Sequence, residues 1–252
     1  MRLFAPAEIV QEPPLTLSWR RSDDGGAVEA DSGQVSEPRW QPRSGHRYRG
    51  HRLLAKRIVD IFGAAVLLLV VAPLLVATIL AVRLTSPGPA LFRQLRVGQL
   101  GRPFRIVKFR SMHVEAERQL QVDDRLRARY LNDGYKLPLD EDPRITKIGL
   151  VLRKTSIDEL PQLWNVLKGE MSLVGPRPVL PDELGEYRGF VGAYLMAKPG
   201  LTGPWQVAGR DAVQFPRRAR FDADYIDDWS LTKDAKILVR TIPATVKARG
   251  VR

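Results

Sequence analysis

The sequence predicts a mainly helical α+β protein that enters a membrane from one side, with an N-terminal re-entrant helix-break-helix and a small cytoplasmic domain carrying a basic β-hairpin. Three observations predict it. Ile58 to Val82 is a 25-residue apolar run whose only charge is Asp60 and whose middle holds Pro73. Residues 90–112 alternate apolar and basic side chains about a short glycine-punctuated turn. Residues 153–178 combine an apolar helical stripe with an adjacent acidic pair and an arginine set between prolines. Alternation reads as strand, spacing at i, i+3, i+4, i+7 reads as helix, and an apolar run near 20 residues reads as membrane-embedded.

Composition narrows the chemistry. A chain of 252 residues supports one main domain. Without cysteine there is no disulfide, thiolate nucleophile or cysteine zinc site. The only histidines, His46, His51 and His113, lie in no metal-ligand spacing, so carboxylates, lysines and arginines are left to carry any chemistry. Residues 1–50 hold seven basic and seven acidic side chains, so the whole net charge of +12 belongs to residues 51–252. A basic body fits polyanionic partners: nucleic acid, anionic lipid headgroups and nucleotide diphosphates all qualify.

Residues 1–50 mix Pro, Gly, Ser, Asp and Arg without sustained periodicity and read as a flexible cytoplasmic tail with no signal-peptide pattern. The next segment, 51–84, is the membrane element. At about 1.5 Å per residue its apolar run covers a ~30 Å hydrocarbon layer. Lys56 and Arg57 flank one end and Arg83 the other, so positive charge favours neither side. Pro73 divides the run into two arms too short to cross singly, which suits a re-entrant hairpin with both ends in the cytoplasm. A kinked crossing helix and a buried soluble helix are the alternatives. Asp60 is assigned a structural role near the interface, paired with Lys56 or Arg57 or capping.

Residues 85–252 form the remaining domain. Ser86-Pro87-Gly88-Pro89 is a stop and turn, and the strands on either side of Gly98-Gln99-Leu100-Gly101 make a hairpin with a basic face. Its G-x-x-G loop is shared with KH-type nucleic-acid clamps, but the flanking helix pattern of those modules is missing. Glu115 to Leu131 reads as one exposed, charge-rich helix, and residues 132–143 as a turn-rich loop. Arg144, Lys147, Arg153 and Lys154 then precede the acidic pair.

Leu160, Leu163, Trp164 and Leu167 make one apolar stripe closed by Gly169, placing Asp158 and Glu159 at a helix start. Ser156 and Glu159 fit a capping box, whereas Pro161 favours a start at Asp158 or Glu159. Either way, the positive end of the helix favours ionised carboxylates and can gather phosphate or a bridging metal. An ionised aspartate is a competent nucleophile, although both acids also fit a plain cap. Pro176 and Pro178 fix Arg177 on a rigid turn suited to bidentate phosphate binding. Lys198 to Arg210 is a second Gly/Pro-punctuated loop with a basic residue at each end. Ser230 to Val246 reads as a basic interfacial helix with Leu231, Ile237, Leu238, Ile242 and Val246 on its apolar side, broken by Pro243.

Taken together, KRIVD at Lys56 to Asp60, the proline-bearing apolar segment, SPGPALFRQLRVG, FRIVKFRSM, TKIGLVLRKTSIDELPQLWNVLKGEMSLVGPRP, KPGLTGPWQVAGR and DDWS resemble the bacterial sugar transferases, the monotopic phosphoglycosyl transferases. The resemblance covers about residues 53–250. It implies a re-entrant helix at Ile58 to Val82 and attack of Asp158 on the β-phosphate of a UDP-sugar with loss of UMP. A phosphosugar–aspartyl intermediate would pass hexose-1-phosphate to polyprenyl phosphate, of the undecaprenyl type, at the cytoplasmic face of the inner membrane, opening polysaccharide assembly. It further implies Mg²⁺ at the Asp158–Glu159 centre and phosphate binding by Arg177; Lys108, Arg153 and Arg210 are the further candidates for binding substrate or phosphate, as cations suited to a charged phosphate. Pro73, Pro176 and Pro178 take structural roles.

UDP-galactose or UDP-glucose is the favoured donor, the lipid bilayer is a partner, nucleic acid is not, and assembly of identical chains is left open. Ala72, Pro204 and Ala208 depart from the usual Ser, Leu and Ser, and the multi-helix N-terminal membrane domain of long-form members is missing from the pattern. The alternative reading from a different class is a membrane-tethered nucleic-acid-binding or adaptor protein, motivated by the basic body and the hairpin loop.

Overall fold

The computed structural model describes residues 50–133, 137–209 and 212–247. The expected tail up to residue 49, Arg210 and the side chain of Val246 lie outside the described residues. Helix α1, Gly50–Thr85, holds the apolar run and passes through Pro73 without interruption. The expected helix-break-helix is therefore one helix containing a proline. Proline removes one backbone hydrogen bond at a cost of about 3 kcal/mol, and the leucines, valines and alanines on both sides sustain the helix across it. Among the described residues, α1 is the one helix long and apolar enough to cross a membrane.

The buried positions of α1 fall in two groups, one on each side of Pro73. Asp60 and Ala64 lie in the first, and Thr78 and Val82 in the second. Ala64 joins the main core with Leu163, Val166, Leu173 and Trp229, while Val82 packs with Ala90, Phe109 and Leu152. Both ends of α1 thus meet the same body, and Leu69 and Val70 between them are exposed.

Strands β1, Leu91–Val97, and β2, Pro103–Phe109, form the expected antiparallel hairpin, with Leu91 opposite Phe109 and Val97 opposite Pro103. The predicted helix from Glu115 to Leu131 is two helices, α2, Ala116–Val122, and α3, Asp124–Asn132. Asp123 separates them in extended backbone, where its carboxylate accepts from the Leu126 N–H and caps α3. Helix α4, Lys147–Thr155, is capped by Thr146, whose hydroxyl accepts from Gly149 N–H.

The acidic stretch is a short 3-10 helix, Ile157–Gln162, running into α5, Leu163–Lys168, which Gly169 ends at φ 85°. Strand β3, Ser172–Val174, pairs in parallel with β4, Gly200–Thr202. Helices α6, Val191–Met196, α7, Pro204–Ala208, α8, Arg217–Asp227, and α9, Leu231–Lys247, complete the body. Helix α9 also continues through its proline, Pro243, contrary to the expected break. Among the described side chains of its apolar side, only Ile237 is deeply buried, and Ile242 is exposed.

Candidate active site

The base of α1 fixes the frame of the site. Arg57 donates from Nη1 to the Val166 carbonyl at 2.6 Å and from Nη2 to that of Leu167 at 2.7 Å, capping α5 with positive charge at its negative end. Asp60 accepts from Ser172 Oγ and Leu173 N–H, both at 3.0 Å, and so anchors β3. Lys56 lies 4.0 Å from Asp60 and donates to Asp234 of α9 at 2.7 Å and to the Val174 carbonyl at 3.1 Å. The structural role expected of Asp60 is thus to tie the apolar helix to the short sheet.

Asn165 joins the hairpin to α5. Its Oδ1 accepts from Val107 N–H at 3.0 Å, and its Nδ2 donates to the Arg105 carbonyl at 2.8 Å and to Glu170 at 2.7 Å. The side chain serves β2 as a strand neighbour would, satisfying a backbone donor and a backbone acceptor at its edge. This placement changes the expected stripe: Leu163, Asn165 and Val166 face the core, while Trp164 is 54 % exposed. Asn165 was hidden in the sequence. Its only signal was a polar residue inside an apolar helical segment.

With β2 held there, Lys108 Nζ reaches Glu159 Oε1 at 3.0 Å, and Arg177 Nη1 lies 3.7 Å from the same oxygen. Pro176 and Pro178 are buried on either side of Arg177. Arg153 enters from α4, its Nε donating to Ser111 Oγ at 2.8 Å. Asp158, 8 % exposed, makes no hydrogen bond or ion pair with the described residues. It faces a cleft of about 1600 Å³ whose lining includes Lys108, Arg153, Arg177 and Glu159 at one part and Ile58, Phe62, Val66 and Leu67 of α1 at another.

The capping box does not form. Ser156 sits in the left-handed region at φ 57° between α4 and the 3-10 helix and gives no side-chain cap. The expected ionising pull of a helix start is also overridden. Burial, then the neighbouring Glu159, push the Asp158 carboxyl up to about 6, while Lys108, Arg153 and Arg177 draw it back. Desolvation wins here because a six-residue 3-10 helix contributes little dipole. Burial likewise lowers Lys108 and Arg153 from their ordinary values.

Of the other basic candidates, Arg144 is paired bidentately with Asp142, at 2.8 Å on both contacts, and lies over Tyr130. Lys147 is exposed. Arg96 is a buried cation that the sequence reading passed over within the alternating strand. It donates to the Pro178 carbonyl at 3.2 Å and supports the Arg177 turn. Among the described residues no group of three or more His, Asp or Glu gathers. The two adjacent acids match the donor set of Mg²⁺, which takes one or two carboxylates and completes its shell with substrate phosphate and water.

The sequence profile described as "Bacterial sugar transferase" matches residues 51–248. A "UDP-galactose-lipid carrier transferase" of Erwinia amylovora is 47% identical over 199 residues, covering 77% of this chain and 41% of its own length. An "Exopolysaccharide production protein ExoY" of Rhizobium meliloti is 40% identical over 221 residues, covering 86% of this chain and 96% of its own. A "UDP-glucose:undecaprenyl-phosphate glucose-1-phosphate transferase" of Caulobacter vibrioides is 44% identical over 201 residues, covering 76% of this chain and 69% of its own. The chain spans less than half the length of the Erwinia relative. The chain therefore belongs to the bacterial sugar transferases.

Proposed function

We propose that the chain transfers hexose-1-phosphate from a UDP-sugar to polyprenyl phosphate, of the undecaprenyl type, at the cytoplasmic face of the inner membrane. UDP-galactose or UDP-glucose is the donor, in keeping with relatives named for galactose and glucose, and the step opens assembly of a polysaccharide such as an exopolysaccharide. One observation carries the reading. A carboxylate without a partner among the described residues, Asp158, lies where Lys108, Arg153 and Arg177 converge, in a cleft that is also walled by the apolar face of α1. A cationic floor beside an apolar wall fits a diphosphate donor and a lipid phosphate acceptor in turn.

The chemistry takes two displacements at phosphorus. An Asp158 carboxylate oxygen bonds to the β-phosphorus, the bond from that phosphorus to the oxygen bridging the α-phosphate breaks, and UMP leaves with the electron pair. A phosphate oxygen of the polyprenyl acceptor then bonds to the same phosphorus and the Asp158 carboxylate departs, giving polyprenyl diphosphate hexose. Lys108, Arg153 and Arg177 offset the charge that builds on the phosphoryl oxygens. Asp158 and Glu159 would hold Mg²⁺, which when bound supplies further neutralisation of the diphosphate.

The re-entrant course of α1 is part of the proposal. A straight crossing would carry one end to the far side of the membrane, yet Lys56, Arg57 and Asp60 at one end and Val82 at the other pack on the same body. Cysteines placed before Ile58 and after Val82 are expected to label from the same face of sealed vesicles, and labelling from opposite faces would refute the course. For the reaction, Asp158→Asn is expected to abolish UMP release while the protein stays in the membrane. Unchanged turnover, or no phosphosugar adduct by intact mass when donor is supplied alone to a turning-over preparation, would remove Asp158 as nucleophile.

A further inference from the structure

We propose that Arg96 and Gln206 form a hydroxyl-binding subsite for the hexose of the donor, beside the phosphorus that Asp158 attacks. The inference rests on the transfer reading above. A recess of about 10 Å³, room for one water-sized group, opens among Arg96, Lys108, Glu159, Gln162, Arg177 and Gln206. Two of its lining residues carry a buried donor and a buried acceptor without a hydrogen-bond partner among the described residues, Arg96 Nε and Gln206 Oε1. The rest of the Arg96 guanidinium is engaged, Nη1 with the Pro178 carbonyl at 3.2 Å and Nη2 with Gln94 Oε1 at 2.5 Å, and Glu183 lies 3.7 Å away.

Unpartnered buried polar atoms are uncommon in folded proteins, and each calls for an occupant. A hydroxyl accepts and donates at once, so it satisfies both atoms. A phosphate oxygen only accepts and would set its charge against the Gln206 amide oxygen. An ammonium only donates and would meet Arg96, Lys108 and Arg177. The orphan pair therefore selects a neutral hydroxyl, and the recess shares Lys108, Glu159 and Arg177 with the acidic site, where a hexose linked through its anomeric oxygen would sit.

The parts are held firmly enough to discriminate. The Gly200 N–H donates to the Pro176 carbonyl at 2.7 Å and the Gly175 N–H to that of Thr202 at 2.9 Å, locking the Arg177 turn to the segment that leads into Gln206. A Cβ on Gly200 would fall 2.1 Å from Gly175 N, so the two segments approach as closely as glycine permits.

The test uses the full chain in detergent with polyprenyl phosphate as acceptor, UDP-galactose and UDP-glucose, and their 2-, 3-, 4- and 6-deoxy forms, reading kcat/KM for UMP release by the wild type and Gln206→Leu. Removal of the hydroxyl that enters the recess should cost the wild type about 10²-fold, and the leucine variant no more than about threefold, because the buried partner is already gone. The other deoxy donors should lose equally in both proteins. Gln206→Glu, which keeps the acceptor oxygen, should keep the discrimination. Equal losses for every deoxy donor in a leucine variant with wild-type melting, which is the result for a recess holding only water, would overturn the subsite while leaving the transfer reading intact. Loss of discrimination in the glutamate variant would do the same, and no UMP from any UDP-hexose with the wild type would overturn both readings.

Discussion

Replacing Asp222 by Asn is expected to change how the stability of the protein depends on pH. Asp222 lies on α8 with no exposed surface, and its Oδ2 accepts from the Tyr187 hydroxyl at 2.7 Å. Burial pushes its carboxyl up from an ordinary 3.8 to about 7, against the pull of Tyr187, Arg218 and the Trp205 indole. Between those values the folded chain keeps a proton that the unfolded chain has released, so stability falls as pH rises and levels off above about 7. From pH 5 to pH 8 the ionisation should cost about 3 kcal/mol, at about 1.4 kcal/mol per pH unit of the window crossed.

Asn keeps an acceptor for the Tyr187 hydroxyl and has no proton to lose, at a cost of about 1–2 kcal/mol for an amide N–H left unpaired. The variant should therefore be less stable than the wild type at pH 5, gain on it up to about pH 7 and hold that gain to pH 8. Urea unfolding in detergent at four pH values, followed by tryptophan fluorescence, gives the difference directly. A wild-type-minus-variant difference that stays constant with pH would refute the argument.

Three further substitutions test the frame and the site. Asp60→Ala strips the Leu173 N–H and the Ser172 hydroxyl of their carboxylate and should lower stability by about 2–4 kcal/mol, read as a fall in melting temperature; a change within about 0.5 kcal/mol would show that the anchor contributes little. Gly200→Ala puts a methyl 2.1 Å from Gly175 N and 2.4 Å from the Thr202 carbonyl, so it should cost about 3 kcal/mol or more and displace Arg177, with UMP release and melting falling together. Lys108→Met removes the cation bonded to Glu159 and one of the three that hold the Asp158 carboxyl down, so that carboxyl should rise further. UMP release should drop about 10²–10³-fold at pH 7, and the loss should shrink as pH increases because ionisation of Asp158 is then restored; a loss unchanged with pH would confine Lys108 to phosphate binding.

Features written in local periodicity were legible. The hairpin's alternation about Gly98 to Gly101, the apolar length of α1 and the stop at Gly169 all depend on neighbours a few residues apart, and each is found where the sequence places it. Features that depend on a partner far along the chain were misread. Trp164 carries helical spacing yet points outward because Asn165 takes the inward position to bond β2, across a separation of 60 residues to Arg105. The capping box failed because Ser156 is spent on a left-handed turn joining two helices. The prolines of α1 and α9 stay within their helices, since one lost hydrogen bond is a small term against many retained.

By itself the sequence determined the inventory: no thiol, three histidines, an adjacent acidic pair, a basic body and an apolar segment of membrane length. That inventory confines the chemistry to carboxylates and cations, because residue type alone sets which groups can attack or bind phosphate. Tertiary structure decided which of those groups meet. It drew Lys108, Arg153 and Arg177 around Asp158, set Arg144 against Asp142 instead, and left Arg96 and Gln206 facing a recess with unmade hydrogen bonds. Charge and hydrogen bonding act over a few ångströms in space whatever the separation in sequence, so only the folded chain could assign those partners.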